Sequence, residues 1–118
     1  MRILIVEDDP ALRMIIRMVL ERQDYEVVEA PHGKAALERV AENLPDGVVA
    51  DMKMPIMDGL ELIQRLREDA SSASIPVILL SGAADLRDAR ESASAVLPKP
   101  FEPADLLAML DSVLPQPG

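Results

Sequence analysis

Four short apolar runs in this chain each lead into a residue with a reactive polar side chain. Ile3-Leu4-Ile5-Val6 runs into Glu7 and Asp8, and Val48-Val49-Ala50 ends at Asp51. Pro76-Val77-Ile78-Leu79-Leu80 delivers the hydroxyl of Ser81, and Val96-Leu97 leads through Pro98 to the ammonium of Lys99. Continuous runs of strand length, without polar alternation, suit strands buried on both faces, as in a parallel sheet. Chemistry at the end of each run then falls on one carboxyl edge of that sheet.

The segments between the runs carry helical spacing. Asp9 followed by Pro10 combines a capping side chain with proline at the first helical position. Leu12, Ile15, Ile16, Val19 and Leu20 form the stripe this helix is expected to bury. A brief strand is expected at Tyr25–Glu29. Gly33, Ala36, Leu37, Val40 and Leu44 mark a second helix, stopped by Pro45-Asp46-Gly47. Leu62, Ile63 and Leu66 mark a third, after the proline turn Met54-Pro55-Ile56-Met57-Asp58-Gly59. Leu106, Leu107, Leu110, Val113 and Leu114 form the face of the last. Five strand–helix units in succession predict an α/β fold with helices on both faces of the sheet. Between Ser81 and Val96 the only large apolar residue is Leu86, supported by Ala89 and Ala93, so a short, mobile helix is expected there.

Bulk properties narrow the function. The chain has 118 residues, 49% of them hydrophobic, enough for one compact domain with a real core. Aromatics are 2% and cysteine is absent, which excludes disulfides, thiolate metal sites and cysteine nucleophiles. A net charge of −9 would repel a phosphate backbone, so direct nucleic-acid binding is not expected. No run reaches membrane-spanning length, and Glu7, Asp8 and Asp9 interrupt the only early apolar stretch, so no signal peptide is read. A cytoplasmic location with no membrane partner is the expectation.

Glu7, Asp8 and Asp51 gathered at one edge would repel one another unless a cation sat among them. They read as a metal site holding an oxygen nucleophile. Mg²⁺ (or Mn²⁺) takes oxygen ligands, and one or two carboxylates with a backbone carbonyl suffice to hold Mg²⁺. If Asp51 is also the nucleophile, phosphoryl transfer needs mainly positioning and charge neutralisation. A lysine opposite would complete the cage, and Ser81 could hydrogen-bond a phosphoryl oxygen beside Gly82 and Ala83. Blander readings exist for each residue: Glu7 and Asp8 as a solvated strand end, Asp51 as a turn cap, Ser81 as an ordinary loop serine. Asp9 is explained by capping, Asp58 and Gly59 as turn and helix-start residues, and His32 as an exposed loop residue.

The ordered set Glu7-Asp8, Asp51-Met-Lys-Met-Pro-Ile-Met-Asp-Gly59, Ser81-Gly82 and Lys99-Pro100-Phe101 resembles the receiver domain of the response-regulator family. The resemblance covers essentially the whole chain, as one receiver domain over 1–118 with 115–118 as a tail or linker start. It implies a flavodoxin-like (βα)5 three-layer sandwich with strand order 2-1-3-4-5. Asp51 would accept a phosphoryl group from a histidine kinase or phosphotransfer protein, changing the affinity for a downstream effector. Mg²⁺ would be bound by Asp8, Asp51 and the carbonyl of Lys53, with Glu7 acting through water. Lys99 would pair with the phosphoryl group, Ser81 would move toward it as the switch, and the Lys99–Pro100 bond would be cis.

Met14 and Met18, one helical turn apart beside the buried stripe, are either peripheral packing or a docking surface for a helical phosphodonor domain. Two departures from the family pattern stand out. Val96 occupies the switch position where the family usually has Tyr or Phe, and it is stiff and too small to swing. The Ser81–Lys99 stretch is also shorter than usual by about one helical turn. Intact phosphorylation chemistry with an altered readout is therefore expected, through ordering or disordering of the short helix. An aspartyl-phosphate phosphatase would want a carboxylate two residues after the nucleophile, and that position is Lys53. A scaffold receiver without chemistry would not need the full set of acids with Ser81 and Lys99.

Overall fold

The apolar runs pair into one five-stranded sheet in the computed structural model, which describes residues 1–82 and 93–115. The strands are β1 Arg2–Val6, β2 Glu26–Ala30, β3 Gly47–Asp51, β4 Val77–Ser81 and β5 Ala95–Pro98. The helices are α1 Pro10–Glu21, α2 Gly33–Glu42, α3 Gly59–Glu68 and α4 Pro103–Val113. Strand order is β2-β1-β3-β4-β5 and every pairing is parallel, which is the flavodoxin-like arrangement anticipated. The short helix expected between Ser81 and Val96 falls on 83–92, outside the described residues.

Alternation along each strand divides the core between the two faces of the sheet. Leu4, Val6, Val48, Ala50, Val77 and Leu79 pack with Val40 of α2 and with Leu62, Ile63 and Leu66 of α3. Ile3, Ile5, Val49, Ile78 and Leu80 pack instead with Ile16 and Leu20 of α1 and with Leu106 and Leu110 of α4. Each Val, Leu or Ile among them, fully buried, contributes about 1.5–3 kcal/mol, and Tyr25 and Phe101 pack only at the margin of the second cluster.

Local signals set the helix ends. Asp9 caps α1, accepting from the Ala11 N–H at 2.9 Å, with Pro10 next in the chain. Asp58 caps α3, accepting from the Glu61 N–H at 2.8 Å. His32, in the bend before α2, is half-buried rather than exposed and caps the helix, its Nδ1 accepting from the Ala35 N–H at 3.1 Å. Two apolar residues differ from expectation. Each residue turns a helix by about 100°, so with Ile16 facing the sheet Ile15 faces out, 55% exposed. Leu44 lies beyond the end of α2 and is also exposed. Among the described residues no helix is long and apolar enough to cross a membrane.

Candidate functional site

Register brings the strand ends level. Val6 pairs with both Ala30 and Ala50, Asp51 pairs with Leu80, and Ser81 pairs with Pro98. Glu7, Asp51, Ser81 and Lys99 therefore lie along one edge, as the sequence predicts.

The loop from Met52 to Gly59 fixes Asp51 in place. The Met52 N–H donates to the Leu80 carbonyl at 2.9 Å, continuing the ladder one residue past β3. The chain then doubles back, and the Gly59 N–H donates to the Met52 carbonyl at 2.8 Å. A Cβ at Gly59 would sit 2.6 Å from the Asp51 carbonyl oxygen and 2.7 Å from Leu79 Cδ2. Only glycine lets the start of α3 rest against the end of β3 so closely. Between them, the Met57 N–H donates to the Pro55 carbonyl at 2.8 Å, a γ-turn centred on Ile56 at φ 72°. A β-branched residue at positive φ is strained, and Ile56 is 73% exposed, so packing does little to offset the strain.

The charges meet at Lys99. Its ammonium lies 2.6 Å from Asp51 Oδ2 and 3.8 Å from Glu7 Oε1. Its backbone is placed by an N–H donated to the Ser81 carbonyl at 2.9 Å, and the Lys99–Pro100 bond is cis, as anticipated. Asp51 Oδ1 accepts from the Lys53 N–H at 3.3 Å.

Glu7 is 1% exposed. Its N–H donates to the Ala30 carbonyl at 3.1 Å, and its Oε2 accepts from the Asp8 N–H at 3.0 Å. Its Oε1 is buried with no hydrogen-bond partner. Burial first, and then the neighbouring Asp51 carboxylate, push the Glu7 carboxyl up to about 8, with Lys99 opposing. Glu7, exposed Asp8 and buried Asp51 each offer a carboxylate oxygen, and these lie within 4.8 Å of one another. An all-oxygen donor set with an orphaned buried carboxylate oxygen fits a hard divalent cation. Asp9 turns aside to cap α1, so the acidic run divides as its sequence suggests.

The remaining candidate residues differ in how directly they reach this cluster. Ser81 is fully buried, but its hydroxyl donates to the Gly82 carbonyl at 2.9 Å and not to Asp51 or Lys99. Val96 is half-buried, pairs with Leu79, and packs on the α2–α3 face of the core. Met14 and Met18 are 60% and 48% exposed. Beside them an apolar groove of about 490 Å³, lined by Leu12, Ile15, Val19, Pro100, Phe101 and Leu106, opens against Lys99. Sequence reasoning passes over two residues here. Ile15 reads as core, and Arg13, whose guanidinium reaches the Glu7 carbonyl, belongs to no motif.

Residues 3–111 match the family model described as the response regulator receiver domain. The chain is 38% identical over 117 residues to the sensor histidine kinase TmoS of Ectopseudomonas mendocina, covering 96% of this chain and 12% of that protein. It is 40% identical over 115 residues to the response regulator MprA of Mycobacterium sp. (strain KMS), covering 96% of this chain and 50% of the relative. The chain thus spans half or less of the length of either protein. Among solved structures, the receiver domain of sensor histidine kinase PA1611 from Pseudomonas aeruginosa PAO1 superposes with a TM-score of 0.85 at 27% identity, covering 95% of both chains. That structure has a magnesium ion coordinated in its active site cleft.

Proposed function

The chain belongs to the response regulator receiver domain family of two-component systems, and on that premise we propose that Asp51 is the phosphoacceptor of a Mg²⁺-dependent binding switch. The observation that carries this reading is the contact of Lys99 with Asp51 beside the orphaned oxygen of Glu7. Two acids and an ammonium held this closely, at the edge of a dry core, suit a dianionic group that arrives together with a divalent cation.

The cation, Mg²⁺ or Mn²⁺, is assigned to Asp8, Asp51 and the Lys53 carbonyl, with Glu7 acting through water. When bound, the cation would supply positive charge that offsets the negative charge of the carboxylates and of the incoming phosphoryl group. The donor is a phosphohistidine of a kinase or phosphotransfer protein. An Asp51 carboxylate oxygen forms the new bond to phosphorus, while the bond from phosphorus to the donor's ring nitrogen breaks. Lys99 transfers its ammonium from Asp51 to an oxygen of the transferred group, and the Ser81 hydroxyl turns from Gly82 to donate to another. Met14 and Met18, with Ile15 between them, form the exposed face on which the donor domain seats. Residues 1–118 act as one receiver unit, whose phosphorylated form has altered affinity for an effector. Val96 takes the switch position without an aromatic ring.

Incubation with Mg²⁺ and acetyl phosphate, with intact-mass measurement afterwards, tests the reading. The wild type should gain one phosphoryl group and Asp51→Asn none. A wild type that binds Mg²⁺ yet gains no mass would point to a scaffold without chemistry.

A further inference from the structure

We propose that Arg13 is a positioning residue for the cation site, an inference that rests on the reading of Glu7, Asp8 and Asp51 as that site. The Arg13 Nη1 donates to the main-chain carbonyl of Glu7 at 2.8 Å. Its Nε donates to Glu29 Oε1 at 3.1 Å. One guanidinium thus ties α1 both to the end of β1 and to the end of β2.

Peptide planarity gives this bond its consequence. The Glu7 carbonyl and the Asp8 N–H belong to one rigid plane. Arg13 holds the oxygen side of that plane, and Glu7 Oε2 holds the N–H side at 3.0 Å. With both ends held, the orientation of the peptide is set, and with it the line of the Asp8 N–Cα bond about which the side chain can turn. Asp8 is exposed and has no packing to aim it. Its place in the carboxylate group is therefore transmitted from Arg13 through the peptide.

Glu29 makes the brace stiff. Its second oxygen accepts from Arg17 Nη1, and its carbonyl accepts from Arg39 Nε at 3.4 Å. Arg17 in turn pairs with Glu21 at 3.3 Å. A carboxylate held on both oxygens, at the end of a paired strand, gives the Arg13 fork a fixed anchor. Lysine could satisfy the Glu7 carbonyl or Glu29, but has no planar fork with which to hold both.

Geometry and charge make opposite forecasts at this position. As a point charge, Arg13 repels a divalent cation, so removing it would tighten binding. As a brace, it aims Asp8, so removing it loosens binding. Mg²⁺ titration by calorimetry, with urea unfolding of the same cation-free samples, separates the two. We expect Arg13→Lys, which keeps the charge, and Arg13→Met, which does not, both to weaken Mg²⁺ binding by about tenfold. Lys34→Met removes a like charge from an exposed position of α2 outside the brace and should stay within about twofold of wild type. Binding by the folded Arg13→Lys protein equal to or tighter than wild type overturns the proposal. So does a Lys34→Met loss as large as that of Arg13→Met. Should Arg13→Met fail to fold, the Arg13→Lys result decides. A wild type that takes up no Mg²⁺ would overturn the site assignment itself, and this inference with it.

Discussion

Lys99 and Asp51 form a 2.6 Å ion pair, so one carboxylate oxygen of Asp51 is already held by an ammonium. The same ammonium lies 3.8 Å from Glu7 Oε1, so it serves as the resident counter-ion of the acidic cluster. It therefore competes with a divalent cation for the same negative charge, while on the proposed reading it would neutralise the transferred group. Lys99→Met should bind Mg²⁺ several-fold more tightly by calorimetry. It should also take up phosphoryl groups from acetyl phosphate roughly a hundredfold more slowly at saturating Mg²⁺.

Glu7 gives the cation-free protein a distinctive pH dependence. Its carboxyl is raised from 4.5 to about 8. Between those values the folded chain holds a proton that the unfolded chain releases, so stability falls as pH rises across the window. Urea midpoints without Mg²⁺ should decline from pH 5 to pH 8, by roughly 1–3 kcal/mol. Glu7→Gln should flatten that slope, and saturating Mg²⁺ should oppose it by favouring the carboxylate. A midpoint that rises over the same window in wild type would contradict the burial argument.

Gly59 controls the seating of α3 against β3. A methyl group there would meet the Asp51 carbonyl at 2.6 Å and the Met52 Cα at 3.0 Å, and backbone atoms yield little. Gly59→Ala should cost about 2 kcal/mol in denaturant unfolding and shift Asp51 enough to weaken Mg²⁺ binding. An unchanged midpoint would mean that the loop relaxes freely.

Ile56 carries the opposite forecast. Glycine relieves positive-φ strain at this 73% exposed position, against a smaller entropic loss from the freer unfolded chain. Ile56→Gly should raise stability by about 0.5 kcal/mol, read from urea midpoints. If it lowers them, the isoleucine side chain makes a contact that its exposure does not suggest.

The strand ends are legible because burial on both faces leaves nowhere for a polar residue except the edge. That rule puts Glu7, Asp51, Ser81 and Lys99 at the edge, the ordered motif set singles them out, and Asp9 and Asp58 follow from helix-start chemistry. Helical periodicity is less decisive for α1: Ile15 and Ile16 are equally apolar, but only the position of the sheet decides which is covered. Leu44 fails for a related reason, since the helix stops two residues before it and leaves it exposed. His32 reads as a loop residue because an imidazole cap has no strong sequence signature, unlike Asp before proline. Arg13 stays invisible because its partners, the Glu7 carbonyl and Glu29, are joined to it only by the fold. Ser81 is legible by position, whereas its hydroxyl points to Gly82, a direction no motif encodes.

The sheet order has a mechanical consequence. The chain leaves β1 toward α1 on one face and leaves β3 toward α3 on the other, and the carboxylates lie at the parting of those two paths. A cation shared by Asp8 and Asp51 would act as a rivet between the two helical layers at the edge where their paths part. Loading the site should thus slow amide hydrogen exchange in α1 and α3 together, although the two helices lie on opposite sides of the protein.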